Sequence, residues 1–262
     1  MVKGLETFAR FFKGHEDCYV LIGGTACDLW IESAGGDFRA TKDLDVVIVA
    51  ENVTVAFVKR FWEFHKEGGY NLAQKKSGAP AFFRFKKPKT NNFPSMVELF
   101  SRQDLELLVS ADKMFTAITA DKQVSSLSAI LMDADYYDLV ITSRVLDENT
   151  GIPVSPAPTL IALKIRAFID LSTRRERGEE IHQSDINKHR NDVFRLIVTL
   201  REEDKLASTD SIRSDLKTFV ETIKRLTPAE FKSIADATGI KSLDKEIQLK
   251  RLEALFSSDK TS

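Results

Sequence analysis

Cysteine is scarce in this chain of 262 residues, which has only two, at positions 18 and 27. Two cysteines cannot build the disulfide framework of a small secreted protein, and their spacing is not that of a CxxC redox or zinc motif. We therefore expect Cys18 and Cys27 to be buried thiols in a reducing compartment. Proline and glycine are also few, with 7 and 12 copies, which excludes collagen-like and low-complexity chains.

An excess of charge and a long apolar stretch are both missing. Lysine and arginine number 38 against 39 aspartate and glutamate, so the net charge of −1 creates no overall field that attracts a polyanion. No window approaches the roughly 18 consecutive apolar residues of a membrane span, and the N-terminal segment lacks the apolar run of a signal peptide. We expect a cytoplasmic protein without a membrane partner, which must meet any polyanion through a local patch.

Hydrophobic periodicity predicts an α/β (α+β) fold, in which a small mixed sheet with flanking helices precedes a helical lobe. Strands are predicted at 19–22, 44–50, 81–85 and 96–100, and as a pair from 138–146 and 152–154. Helical spacing is present at 4–13, 25–31, 53–66, 159–171, 184–200, 209–226, 228–237 and 242–256. Thr25 is the expected cap of the second helix. Prolines 153, 156 and 158 interrupt these patterns, so we place a domain boundary between residues 1–157 and 158–262.

Two aspartates at the start of a β-branched run are the first chemical signal. Asp43 and Asp45 occupy alternate positions of a predicted strand, so both point to one face with Cα atoms about 6 to 7 Å apart. Two carboxylates at this distance repel each other unless a cation is shared, and Mg²⁺ prefers hard oxygen ligands. The simpler alternative is a solvated strand end, which such a short motif often marks.

A glycine turn and a third acid accompany this pair. Gly23, Gly24 and Thr25 follow the first strand, and the backbone N–H groups of such a turn at a helix start can bind phosphates. The turn is not a Walker loop, because no lysine follows at the required position, and GxGxxG is absent. Glu98 lies between apolar neighbours in a later strand, and a neighbouring strand would bring it beside the two aspartates.

The order of these motifs resembles the nucleotidyltransferase superfamily, whose fold is shared by polymerase β and the aminoglycoside nucleotidyltransferases. Within it, the sequence is most similar to the AbiEii and MenT toxin-like enzymes. This likeness rests on LIGGTA at 21–26, RATKDLD at 39–45, PTLIALKIRAF at 158–168 and KHRND at 188–192. It spans about residues 18–200, and His189 stands where the family pattern has an acid.

The resemblance implies transfer of a nucleoside monophosphate from an NTP to an acceptor hydroxyl, as a toxin of a toxin–antitoxin system. Its implied acceptor is an RNA resembling tRNA, and its implied partner is an antitoxin protein. Asp43, Asp45 and Glu98 would bind Mg²⁺ or Mn²⁺, and these three carboxylates together with Lys164 would be the catalytic residues. The implied nucleotide-binding residues are Gly23, Gly24, Thr25, Arg39, Lys164, Lys188 and Asp192.

Two lysines can be interpreted without the resemblance. Lys164 lies in an otherwise apolar helical segment, so its ammonium must reach water or meet an anion, for which a triphosphate is suitable. Lys188 and Asp192 are one helical turn apart. Asp192 would orient Lys188 toward a nucleotide, and the alternative is an ordinary surface ion pair.

A basic stretch between positions 75 and 89 contains no acid and is interleaved with phenylalanines; its members are Lys75, Lys76, Arg84, Lys86, Lys87 and Lys89. Such a stretch suits an RNA backbone and unstacked bases, and the alternative is a solvated hairpin with its phenylalanines in the core. Two alternatives for the activity also stay open. One is nucleotidylation of a protein or small molecule, and the other is an inactive nucleotide- or RNA-binding module of the same fold.

Overall fold

The computed structural model describes residues 2–39, 41–72, 83–100 and 133–257. The chain divides into two compact units: a first unit of residues 1–29 with 39–155, and a second unit of residues 30–38 with 156–262. The chain passes for the last time from the first unit to the second between Ser155 and Pro156.

The described elements up to Ser155 include both helices and strands. In chain order they are α1 Leu5–Phe12, β1 Tyr19–Ile22, α2 Gly23–Ser33, β2 Asp43–Ile48, a 3-10 turn Ala50–Asn52, α3 Val55–Gly68, β3 Asn71–Leu72, β4 Phe83–Lys86, β5 Met96–Phe100, α4 Ala134–Ser143, β6 Val145–Leu146 and β7 Pro153–Val154. The elements after Pro156 are all helical. They are α5 Ala157–Glu176, α6 Gln183–Ile197, α7 Asp210–Lys224, α8 Pro228–Thr238 and α9 Lys245–Leu255.

The strands in the described residues form one mixed sheet with the order β3-β4-β5-β2-β1-β7-β6. The β1–β7 and β2–β5 pairs are parallel, and the other pairs are antiparallel. Strand β1 is buried along its whole length, as expected for a continuous apolar run inside a sheet. The mixed sheet, its flanking helices and the helices after Pro156 confirm the predicted fold class.

An aromatic cluster forms the core on one face of this sheet. Phe8 and Phe12 of α1 lie with ring centroids 5.6 and 5.5 Å from that of Phe64 in α3. Phe61, one turn earlier in α3, packs 5.2 Å from the ring of Phe85 in β4. Helix α3 therefore covers the face that Phe85 occupies, and the residues that alternate with Phe85 along β4 lie on the opposite face.

The second unit packs around aromatic rings of three helices. Phe194 of α6 lies 6.3 Å from Phe219 of α7 and 5.5 Å from Phe231 of α8. Helix α8 begins with a capping box in which the side chains of Thr227 and Glu230 each accept a backbone N–H of the other residue.

None of the helices in the described ranges combines the length and apolar character needed to cross a membrane.

One predicted strand was wrong. Residues 138–143 belong to helix α4, so the predicted pair is reduced to the short strands β6 and β7. Asp133 caps α4 by accepting the backbone N–H of Asp135 at 3.0 Å. Tyr136 and Val140, one turn apart, are both 0% exposed, so the apolar residues of this segment form a buried helix face.

His65 of α3 lies among buried aromatic rings. Its ring centroid is 5.0 Å from that of Phe85, 5.7 Å from Trp62 and 6.2 Å from Tyr70. In the described part of the chain, its buried Nε2 atom has no hydrogen-bond partner. Burial lowers the pKa of this imidazole because the charged form loses its hydration.

We expect His65 to lower the free energy of unfolding as the pH falls from about 7.5 to 5.5, because the unfolded chain binds a proton at His65 before the folded chain does. His65→Phe removes this contribution, so urea unfolding should show that the variant loses less stability than the wild type over this pH range. His182→Gln changes an exposed histidine and should keep the wild-type slope. An unchanged slope in His65→Phe would contradict the burial of a neutral imidazole.

Candidate active site

The carboxylates of Asp43 and Asp45 lie on one face of β2. Both aspartates are partly exposed, whereas Leu44 and Val46 between and after them are 0% and 1% exposed. This alternation is the two-residue period of a strand with one face in the core. The two aspartates therefore share the face opposite to the one that the buried residues occupy.

Glu98 lies beside this pair because β5 runs parallel to β2. The register places Glu98 opposite Asp45, and on the other side of β5 it places Arg84 of β4 opposite Glu98. Arg84 Nε forms an ion pair with Glu98 Oε1, and the glutamate side chain is only 9% exposed. The strand pairing thus brings the three predicted acids together and adds an arginine to them.

The electrostatic environment of Glu98 is unusual. Its pKa is raised to about 7, chiefly by burial and then by the charge of Asp45, with Arg84 opposing the rise and Asp43 adding to it. A carboxyl with such a pKa exchanges its proton near neutral pH, which suits a general base. The same crowding of negative charge is what a bound cation would relieve.

The first turn of α2, which follows β1 directly, touches both aspartates. Gly23 has a φ of +71°, and a Cβ at this position would lie 1.8 Å from Asp45 Oδ2, so a side chain does not fit. The predicted helix cap at Thr25 was wrong, because α2 begins at Gly23. The buried hydroxyl of Thr25 instead donates to the backbone carbonyl oxygen of Asp43 at 2.7 Å, which ties α2 to β2.

Gly24 faces the segment that precedes β2. A Cβ on Gly24 would lie 2.7 Å from Thr41 Oγ1 and 3.5 Å from a terminal nitrogen of the Arg39 guanidinium. The absence of a side chain therefore lets a hydroxyl and a guanidinium approach the first turn of α2, where helix geometry leaves backbone N–H groups available. These donors together suit an anion such as phosphate.

Two of the three predicted residues after Pro156 form a buried ion pair. Lys164 of α5 is 3% exposed, and its Nζ lies 3.1 Å from Oδ2 of Asp192 in α6. Asp192 is 0% exposed and also accepts a hydrogen bond from Arg195 at 3.1 Å. Lys164 thus meets an anion rather than reaching water, and this anion is a carboxylate of its own unit. Lys188 is exposed one turn before Asp192.

Three residues that contact the predicted set were given no individual role from the sequence: Thr41, Arg84 and Arg195. Arg84 was recognised only as part of the basic stretch, of which Lys75 and Lys76 lie outside the described residues. The alternation of Arg84 with Phe85 in the sequence indicates a polar strand face. Only the strand register shows that Glu98 is the partner of Arg84. Thr41 lies within the RATKDLD motif, which was the available signal for it.

The donor chemistry of the acidic face fits a divalent cation. Asp43 and Asp45 present hard carboxylate oxygens on one face, and such oxygens are the ligands that Mg²⁺ prefers. In the four described ranges, no three His, Cys, Asp or Glu side chains are arranged as a complete metal-binding group. Since Glu98 is engaged by Arg84, the aspartate pair is the centre of any cation site here.

Replacing Gly23 by alanine should disturb the position of Asp45, because the new methyl group overlaps its carboxylate. Gly14→Ala is the matched control, since Gly14 has a φ of +87° and no described atom within 4 Å of its Cβ position. The control should cost only the left-handed backbone penalty of about 1 to 2 kcal/mol. Urea unfolding should show a clearly larger loss for Gly23→Ala, and equal losses would contradict the close contact.

Removing the Asp192 carboxylate with Asp192→Ala should lower the free energy of unfolding by about 3 to 5 kcal/mol, because the buried Lys164 ammonium loses this partner. Glu253→Ala is the control, since Glu253 lies 3.0 Å from Lys224 Nζ in a pair that is about half exposed. The control should cost less than about 1 kcal/mol. Chemical unfolding compares the two, and similar small losses would contradict a stabilising buried pair.

Known proteins share features with this chain. A solved structure of an antigenic nucleotidyltransferase-like protein from Paracoccidioides brasiliensis is similar over 90% of this chain and 94% of that one, at 14% identity and a TM-score of 0.42. No curated relative matches the chain significantly. The sequence profile described as nucleotidyl transferase AbiEii toxin, Type IV TA system, matches residues 8–256. Because this match spans nearly the whole chain and agrees with the motifs above, the protein belongs to the AbiEii family of nucleotidyltransferase toxins of type IV toxin–antitoxin systems.

Proposed function

We propose that this nucleotidyltransferase transfers a nucleoside monophosphate from an NTP to a hydroxyl group of an RNA acceptor and releases pyrophosphate. The observation that carries the proposal is the convergence of Asp43, Asp45 and Glu98 on one sheet face beside the Gly23–Gly24 turn. Family membership supports the reaction class.

The transfer is a displacement at the α-phosphorus of the NTP. The acceptor oxygen forms a bond to this phosphorus, while the bond from the phosphorus to the oxygen that bridges to the β-phosphate breaks, and its electron pair leaves with pyrophosphate. The acceptor proton passes to the Glu98 carboxylate, whose pKa of about 7 allows it to take the proton and later release it to water. Arg84 favours the ionised form of Glu98 that this step requires.

Mg²⁺ or Mn²⁺ is the proposed cofactor, with Asp43 and Asp45 as ligands. Glu98 is the third carboxylate beside them, and because it is paired with Arg84 we assign it the acceptor proton rather than the cation. When bound, the cation would neutralise the charge of the phosphates and of the departing pyrophosphate. The neighbouring residues hold the ligands in place. Thr25 ties the backbone of Asp43 to α2, and the bare Cα of Gly23 leaves room for the Asp45 carboxylate.

The β- and γ-phosphates of the NTP would bind at the first turn of α2. The backbone N–H groups of Gly24 and Thr25 and the guanidinium of Arg39 are the proposed donors, and Thr41 adds a hydroxyl close to Gly24. The family motifs after Pro156 add three proposed nucleotide-binding residues: Lys164, Lys188 and Asp192. In this proposal Asp192 positions Lys164, with which it forms an ion pair, as well as Lys188.

The biological partners follow from the family. A toxin of this kind is controlled by an antitoxin, so we propose a cognate antitoxin protein as a partner of this chain. RNA is the proposed acceptor, because its 3′ end offers a free hydroxyl. Modification of a protein would appear instead as label transferred to polypeptide.

Asp43→Asn should reduce transfer by about two orders of magnitude or more, the typical loss when a group that stabilises transition-state charge is removed. The measurement is transfer of labelled nucleotide to total RNA and to total protein, with and without Mg²⁺. Asp17→Asn is the control, since Asp17 is an exposed aspartate of the same unit. Wild-type turnover in Asp43→Asn, with an unchanged far-UV circular dichroism spectrum, would refute the assignment.

A further inference from the structure

The face of the sheet that carries the three carboxylates also carries basic residues. Two rows of side chains cross this face from β2 through β5 to β4: Asp45, Glu98 and Arg84 in one row, and Asp43, Met96 and Lys86 in the next. Because residues two apart on a strand point to the same side, Arg84 and Lys86 share the face of the carboxylates. Phe85 between them is 1% exposed and packs against α3 on the opposite face.

The charges of β4 are accessible to a ligand. The Arg84 side chain is 27% exposed although it pairs with Glu98, and Lys86 is partly exposed. Within the ranges that the structure describes, Lys86 forms no ion pair. A cationic strip therefore borders the carboxylates on the β4 side.

The two sides of the carboxylates are not equivalent. Gly23 and Gly24 follow β1, which pairs with β2 on the side away from β5. In the proposed function, the pyrophosphate leaves from the side of Gly24 and Arg39. Since entering and leaving oxygens lie in line across the phosphorus, the acceptor must come from the opposite side, which is that of β5 and β4.

We propose that the acceptor strand reaches the site across β5 and β4, and that Lys86, together with Arg84, binds the phosphate groups next to the acceptor hydroxyl. This inference rests on the proposed function and adds acceptor-binding residues to it. A free hydroxyl preceded by phosphodiesters is what the 3′ end of an RNA strand offers, and lysine and arginine neutralise such phosphates.

Binding of a short single-stranded RNA, followed by fluorescence anisotropy in EDTA over a series of salt concentrations, tests this path directly. In Lys86→Ala, the loss of one phosphate contact should lower the slope of log binding constant against log salt by about 0.7. Lys86→Glu should weaken binding severalfold. Lys59→Ala is the matched control, since Lys59 is an exposed residue of α3, on the other side of the sheet, and should bind as the wild type does.

Transfer kinetics provide a second readout that a structural defect would not reproduce. Lys86→Ala should raise the KM for RNA and leave the KM for NTP unchanged. Equal RNA affinity and equal salt slopes in the wild type and both Lys86 variants would overturn the acceptor path, even if the wild type transfers nucleotide. A wild type that binds RNA with a salt slope that Lys86→Ala lowers, but transfers no nucleotide to it, would instead count against the proposed function.

Discussion

The parallel pairing of β2 with β5 is the constraint on which the proposed site depends. It places the buried Glu98 opposite Asp45, so that like charges face each other on adjacent strands, an arrangement that opposes folding. Arg84, opposite Glu98 on β4, offsets part of this repulsion. Burial and the remaining repulsion from Asp45 together raise the pKa of Glu98 to about 7, and such local conflicts are typical of functional sites.

The two units hold their charged residues in different ways. In the first unit, Asp43 and Asp45 keep partial contact with solvent on a strand face, where incoming ions and phosphates can reach them. In the second unit, Lys164 and Asp192 are buried and satisfy each other at 3.1 Å, which joins α5 to α6. The Lys164–Asp192 pair, which belongs to the family motifs of this unit, therefore stabilises the packing of α5 on α6. This structural role is additional to the role in nucleotide binding that we propose.

Most elements could be predicted because their patterns are local. The apolar run of β1, the alternation along β2 and the helical spacing of α3 each follow from neighbouring residues in the chain. The prediction failed at 138–143, where a short segment rich in apolar and β-branched residues suits a strand and a helix equally well. The cap at Asp133 and the burial of one helical face decide that case.

The sequence by itself determined the chemical groups of the site: two carboxylates at alternate strand positions, a third between apolar neighbours, and a glycine pair that tolerates close contact. Only the tertiary structure decided which charges meet, namely Glu98 with Asp45 and Arg84, and Lys164 with Asp192. The physical reason is that spacing within a strand is set by the backbone, whereas register between strands and contact between helices are set by burial of whole faces.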